Sequence, residues 1–332
     1  MLEAGRGLPV ILAACEAAHA ARVPWWQVAR TVARVGSAET LLGEPWEPVD
    51  RWEYDVARAL GTFLRADAPQ RWAGRVEEWR AADPAVRFVT ILDPVYPLNL
   101  RRVFNPPPVL VWRGQDDGQD VRAVAVVGTR TPSDEGVIRA RRLGRGLAAE
   151  GVTVLSGLAR GIDAAAHSGA LEAGGRTVAV LGHGLLQPTY PAENRPLADA
   201  ILSSGGALVS QFRPDAPPTR GTFPLRNVVM SGMAQGTVVV EAGKTSGARM
   251  QARFAAEQGK RVWLLESLVE GFEWAHDFAR KYADRTRVVR DIADVLGELH
   301  DAGDTPIQLP PVADAESRRR GENTRDELLL FA

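Results

Sequence analysis

Residues 121–167 read VRAVAVVGTRTPSDEGVIRARRLGRGLAAEGVTVLSGLARGIDAAAH. Two short runs rich in valine and leucine, 123–127 and 152–155, frame a segment with apolar residues at helical spacing. Neither run alternates with polar residues. A strand with that composition is buried on both faces, and a helix joining two such strands implies a parallel pair. The same unit recurs downstream in RTVAVLG (176–182), ALVSQF (207–212), TVVVEA (237–242) and RVWLL (261–265), each preceded by an amphipathic segment. The expected fold class is α/β, a doubly wound parallel (Rossmann-like) sheet with helices on both faces.

In such a sheet, ligands bind at the carboxyl ends of the strands. Thr129-Arg130 follows the first strand, and Leu158-Ala159-Arg160-Gly161 follows the second. His183-Gly184 and then YPAEN, ending at Arg195, follow the third; FPLRN (223–227) closes the proline-rich loop after the fourth; GKTSGA (243–248) follows the fifth. Gly157 and Gly161 allow a sharp turn and close approach to a ligand. Asp163 is placed to cap a helix beginning near Ala164, whose positive end favours an anion. Arg160 adds a forked cation that can grip a phosphate. With Arg130, Arg195 and Arg226 at the other strand ends, the expectation is a phosphate-binding rim, and Phe223 offers a ring on which a base could stack.

The rest of the chain is different in character. Residues 1–85 read as helical and rich in tryptophan, with LPVILAACEAAHA and PWWQVARTVARVG carrying apolar residues at helical spacing. Residues 86–120 are short apolar runs broken by prolines, expected to form a connector with short strands. Domain 121–300 follows, and 301–332 is a proline- and charge-rich stretch expected to be a disordered tail. A single cysteine excludes a disulfide framework, and five scattered histidines give no metal spacing. No uninterrupted apolar run is long enough for a membrane span, so a cytoplasmic protein is expected. A net charge of −1 does not advertise a polyanion partner, so any electrostatic site must rest on particular arginines.

Taken together, VVGTR, SGLARGIDAAAH, GGRTVAVLG, YPAENRPLA, FPLRN and VVVEA followed by SGA closely resemble the DprA/Smf family, the DNA-processing proteins of natural transformation. The likeness runs from about Pro97 to Gly259. It implies a Rossmann-like domain that binds and protects single-stranded DNA, loads the RecA recombinase onto it, works as a homodimer, and has neither cofactor nor catalytic activity. The N-terminal region is similar to the sterile-alpha-motif or helix-hairpin-helix modules found ahead of that domain. By resemblance, Gly128, Arg130, Ser156, Gly157, Arg160, Gly161, Asn194, Arg195, Arg226 and Asn227 meet the nucleic acid, and Asp163 is a structural cap. Tyr190, Pro191, Glu241 and Gly247 also match family motifs.

The chain departs from the family after its last core strand, where residues 266–290 read differently, and in the loop GKTSGARMQA. Two other readings stand beside DNA binding. One is a nucleotide-binding sensor or nucleotide-cleaving enzyme of a related Rossmann-like group, with Glu241 and Asp163 as acid–base candidates. The P-G-G-x-G-T-x-x-E loop of that group is absent, and Gly243-Lys244-Thr245 lacks the earlier glycine of a nucleotide-hydrolysing loop. The other is a component of a defence or mobile-element system. Finally, Glu327 to Phe331 reads ELLLF; Leu328, Leu330 and Phe331 resemble peptides that dock on the bacterial sliding clamp, or they fold back on the protein's own surface.

Overall fold

The computed structural model describes residues 5–43, 46–115 and 119–299. The expected tail and the peptide with Leu328, Leu330 and Phe331 lie outside the described residues. Five helices open the chain: α1 (Leu8–Ala20), α2 (Trp25–Val35), α3 (Thr40–Gly43), α4 (Arg51–Phe63) and α5 (Ala68–Ala82). Helix α1 is buried on most of its circumference, and its alanines let α2, α4 and α5 approach closely. Gly36, left-handed at φ 79, ends α2. Trp79 in α5 packs its ring, tilted, 6.1 Å from Trp72 and 6.0 Å from Phe88, carrying the helical core onto the sheet.

Strands β1 (Arg87–Thr90) and β2 (Val109–Gly114) flank the short helix α6 (Leu98–Arg101). The alternating part follows as β3 (Ala123–Val127), α7 (Asp134–Ala149), β4 (Thr153–Ser156), α8 (Ile162–Glu172) and β5 (Thr177–Val180). It continues through α9 (Arg195–Ser203), β6 (Ala207–Ser210), α10 (Thr222–Met233), β7 (Gly236–Val239), α11 (Gly247–Glu257) and β8 (Arg261–Leu265). Helices α12 (Glu266–Gly271) and α13 (Glu273–Lys281) lead into β9 (Thr286–Val289) and α14 (Ile292–Leu296).

Among the described residues the strands form one sheet in the order β1-β2-β6-β5-β4-β3-β7-β8-β9. From β3 to β9 every pairing is parallel, so the α/β expectation holds. The connector does more than connect. Its hairpin pairs antiparallel with the β6 edge and lengthens the sheet, covering an edge that would otherwise expose its backbone. The segment 266–290 forms the crossover from β8 to β9, and Trp274 anchors it by donating from Nε1 to the Ala242 carbonyl at 2.8 Å.

Chain order reverses between β3 and β7, which places the topological crevice at their carboxyl ends. Helices α7 and α8 cover the sheet beside it in very close contact, because Gly144 and Gly169 let each backbone touch the other. A Cβ at Gly169 would collide with the Arg141 carbonyl. A glycine-to-alanine change in an exposed helix stabilises by about 1 kcal/mol. For Gly169→Ala overpacking reverses the sign, and urea unfolding is expected to show a loss of roughly 1–3 kcal/mol. A gain in stability would contradict the close approach.

Candidate nucleic-acid interface

The β4–α8 turn is tied from three sides. Leu158 adopts a left-handed φ of 56° and Gly161 a φ of 75°. Asn194 donates from Nδ2 to the Leu158 carbonyl at 2.8 Å. The Asp163 carboxylate accepts from the backbone N–H of Gly157 at 3.1 Å and of Ala159 at 3.4 Å. Asp163 is therefore not the helix cap that the sequence led us to expect. Helix α8 starts at Ile162, Gly161 is the N-cap without a side-chain bond, and Asp163 is already helical. A helical Cβ tilts toward the N-terminus, so this carboxylate reaches back and braces the turn. Ser156 is also internal; its buried hydroxyl donates to the Val126 carbonyl at 2.6 Å and joins two strands below the turn.

Arg226 differs most from the expected rim. It sits five residues into α10, only 6% exposed, beneath the turn. Its Nη1 donates to the Val180 carbonyl at 2.7 Å and its Nε to Asn227 Oδ1 at 3.0 Å. A Cβ at Gly157 would land on its guanidinium, so that glycine is the space Arg226 occupies. Burial lowers the Arg226 pKa while the Asp163 carboxylate raises it. Burial raises the Asp163 pKa, opposed first by Arg226. The two compensate each other inside the protein.

Arg226 closes the floor of a cavity of about 60 Å³ lined by Arg130, Gly157, Arg160, Tyr190, Pro191 and Phe223, with Ala159. Its mouth is aromatic and cationic. Tyr190, 47% exposed, lies 5.7 Å from Phe223, and the Arg130 guanidinium sits 5.3 Å above the Phe223 ring. Arg160 forms a two-pronged ion pair with Glu193, including Nη2 to Oε2 at 2.7 Å. Both partners are well exposed, so solvent screens the pair and it contributes little to stability. Arg195 is exposed at the start of α9 but does not line the cavity. Asn227 is buried and supports Arg226 rather than facing the cavity.

The crevice between β3 and β7 is already filled. Gly128 is packed against Ile162 and the Glu241 carbonyl, with no room for a side chain. The Glu241 carboxylate accepts from the Ser133 hydroxyl at 2.7 Å and from its N–H at 3.1 Å, an anion held at the N-terminus of α7. The carboxylate is thus engaged at the α7 N-terminus, where the sequence pattern offered Glu241 only as an acid–base candidate. Two further cations stand at this edge: Arg220, which no family motif singled out, and Lys244, which entered only through the rejected Gly243-Lys244-Thr245 loop. Both are exposed, without a side-chain partner among the described residues, in the loops after β6 and β7. The motif TRGTF carried the signal for Arg220, a cation three residues from the stacking ring.

The family model described as DNA recombination-mediator protein A matches residues 87–299. The chain belongs to that family. It is similar to Protein Smf from Synechocystis, with 40% identity over 57% of this chain and 48% of the other. It is 35% identical to the DNA processing protein DprA of Streptococcus pneumoniae over 63% of this chain and 73% of the other. The chain spans about half the length of the Smf proteins of Synechocystis and Escherichia coli. The X-ray structure of the pneumococcal DprA superposes with a TM-score of 0.66 at 27% identity, covering 87% of this chain and 97% of that one. A DprA structure from Helicobacter pylori, described for its single-stranded DNA binding mode, shares the fold with a TM-score of 0.56 at 24% identity, covering 64% of this chain and 98% of that one. Family membership covers the sheet; the N-terminal helices lie outside the matched residues.

His167 lies in α8, within electrostatic reach of Arg226. Its Nδ1 faces Thr177 Oγ1 at 2.7 Å, and that hydroxyl donates onward to the Val154 carbonyl at 2.7 Å. The imidazole must then donate through Nδ1, leaving Nε2 buried without a partner and the ring neutral. Burial, aided by Arg226, lowers its pKa from 6.5 to about 3. Between those values the unfolded chain binds the extra proton, so stability rises with pH and is lost on acidification. His167→Gln is expected to flatten the stability profile, removing about 2 kcal/mol of pH-dependent loss between pH 7 and pH 5. Chemical denaturation across that range measures it; an unchanged profile contradicts the neutral buried ring.

Proposed function

We propose that the protein binds single-stranded DNA along the carboxyl edge of its sheet, as a non-enzymatic mediator that shields the strand and loads a recombinase of the RecA class. The observation that carries this reading is the cavity floored by buried Arg226 and edged by Arg130 and the Phe223–Tyr190 pair. A phosphate in the cavity meets preplaced cations, and a neighbouring base meets an aromatic face. Arg195, Arg220 and Lys244 extend the positive edge over the loops after β5, β6 and β7, suited to successive phosphates. Family membership and the single-stranded DNA binding attributed to the Helicobacter pylori protein support the same choice of ligand. A homodimer acting in transformation belongs to this reading.

The competing small-nucleotide reading has less support. The N-terminus of α7, where a Rossmann domain receives a pyrophosphate, holds the Glu241 carboxylate. Asp163 braces a turn from a buried position, and among the described residues no carboxylate lines the cavity.

Oligonucleotide binding across a salt series tests the proposal. Affinity should fall with a log–log slope of about −0.7 for each phosphate neutralised. Arg130→Ala and Arg220→Ala are each expected to weaken binding roughly fivefold or more with unchanged circular dichroism. Arg160→Ala should cost less, because Glu193 already engages that side chain. Salt-independent binding, or tight binding of a mononucleotide that competes fully with the oligonucleotide, would overturn the reading.

A further inference from the structure

The arginines of the sheet domain divide sharply by partner. Between residues 121 and 299, exposed Arg141, Arg160, Arg280, Arg287 and Arg290 are held by carboxylates or carbonyls. The exposed arginines left without a hydrogen bond or ion pair among the described residues are Arg130, Arg142, Arg145, Arg195 and Arg220. Three of these belong to the edge already assigned. Arg142 and Arg145 do not.

Both lie on α7, which begins four residues after Arg130 and runs back along the side of the sheet. Their face is fixed by packing. Gly144, Leu143, Ala140 and Leu147 turn inward, and α8 touches the Arg141 and Gly144 backbone. Ile138, Arg142 and Arg145 therefore share the outer face at helical spacing. Ile138 is 60% exposed, a large apolar side chain at the head of the stripe. Of the nearby carboxylates, Glu135 pairs with Arg139 at 3.6 Å and Glu172 with Arg141, whereas Asp134, exposed in the first turn on the same face, lies two turns before Arg142.

We infer that the outer face of α7 is a second nucleic-acid contact, a track that takes the strand as it leaves the cavity past Arg130. The inference rests on the DNA-binding reading above. At 1.5 Å per residue, Arg142 and Arg145 stand about 12 and 16 Å down the helix from its start, a span of two to three extended nucleotides. Ile138, one turn in, offers an apolar surface to a base or sugar between the Arg130 phosphate and the Arg142 phosphate. A neutralised stripe would point to a solvated face. This stripe has two unpaired cations among the described residues, two and three turns into the helix that follows Arg130.

The test compares the full chain with an R142A/R145A double variant on single-stranded oligonucleotides of about six and about twenty nucleotides. R280A, on α13, is the control. The double variant is expected to bind the short oligonucleotide within about twofold of the parent and the long one at least fivefold more weakly. Its salt slope on the long strand should be shallower by about 1.4, two phosphates' worth. Equal affinity and slope on the long strand would overturn the track, as would an equal loss on both lengths. If the parent binds the short strand but gains nothing from length, the track fails and the cavity reading stands. If the parent binds neither strand, the cavity reading itself fails, and this inference with it.

Discussion

The site depends on one buried charge. Arg226 is held under the β4–α8 turn by the Val180 carbonyl, by Asn227 and by the field of Asp163. A buried guanidinium survives only if its charge is compensated, and breaking such a pair costs roughly 3–5 kcal/mol. Asp163 answers it while also gripping the N–H groups of the turn, so charge compensation and loop shape are one arrangement. Gly157 follows from it, since any side chain there would expel the guanidinium. The left-handed Leu158, pinned by Asn194, completes the turn.

In the proposed reading the ligand sits away from the usual place in a doubly wound sheet. The crevice at the β3–β7 reversal is closed by Gly128 packing and by the Glu241 carboxylate at the α7 N-terminus. The open cavity lies toward β4 and β5 instead, with its cations supplied by side chains. A helix terminus suits a single phosphate group; guanidinium groups spread over several loops suit a chain of them.

Much of this was legible in the residues. Unalternating strands identified the parallel sheet, and Arg130, Arg160 and Phe223 were placed near the cavity because strand ends converge in such folds. What stayed hidden depends on contacts between distant residues. The β1–β2 hairpin joins β6 across about a hundred residues, which no local pattern encodes. Arg226 looked like a rim residue because arginine is usually exposed, although Val228, Val229, Met230 and Met233 around it make α10 a buried helix. Asp163 was misread because α8 begins two residues earlier than its composition suggested. Glu241 and Ser133 meet only because β7 lies beside β3.

In the proposed complex the buried Arg226 guanidinium and Arg130 share one phosphate of an unpaired strand. A crystal structure with a bound oligonucleotide tests it most directly. The expected result is a phosphate oxygen within about 3 Å of Arg226 Nη2, with Arg130 on the same group and a base against Phe223 or Tyr190. A strand that crosses the protein elsewhere, with Arg226 still bonded only to Val180 and Asn227, would contradict it.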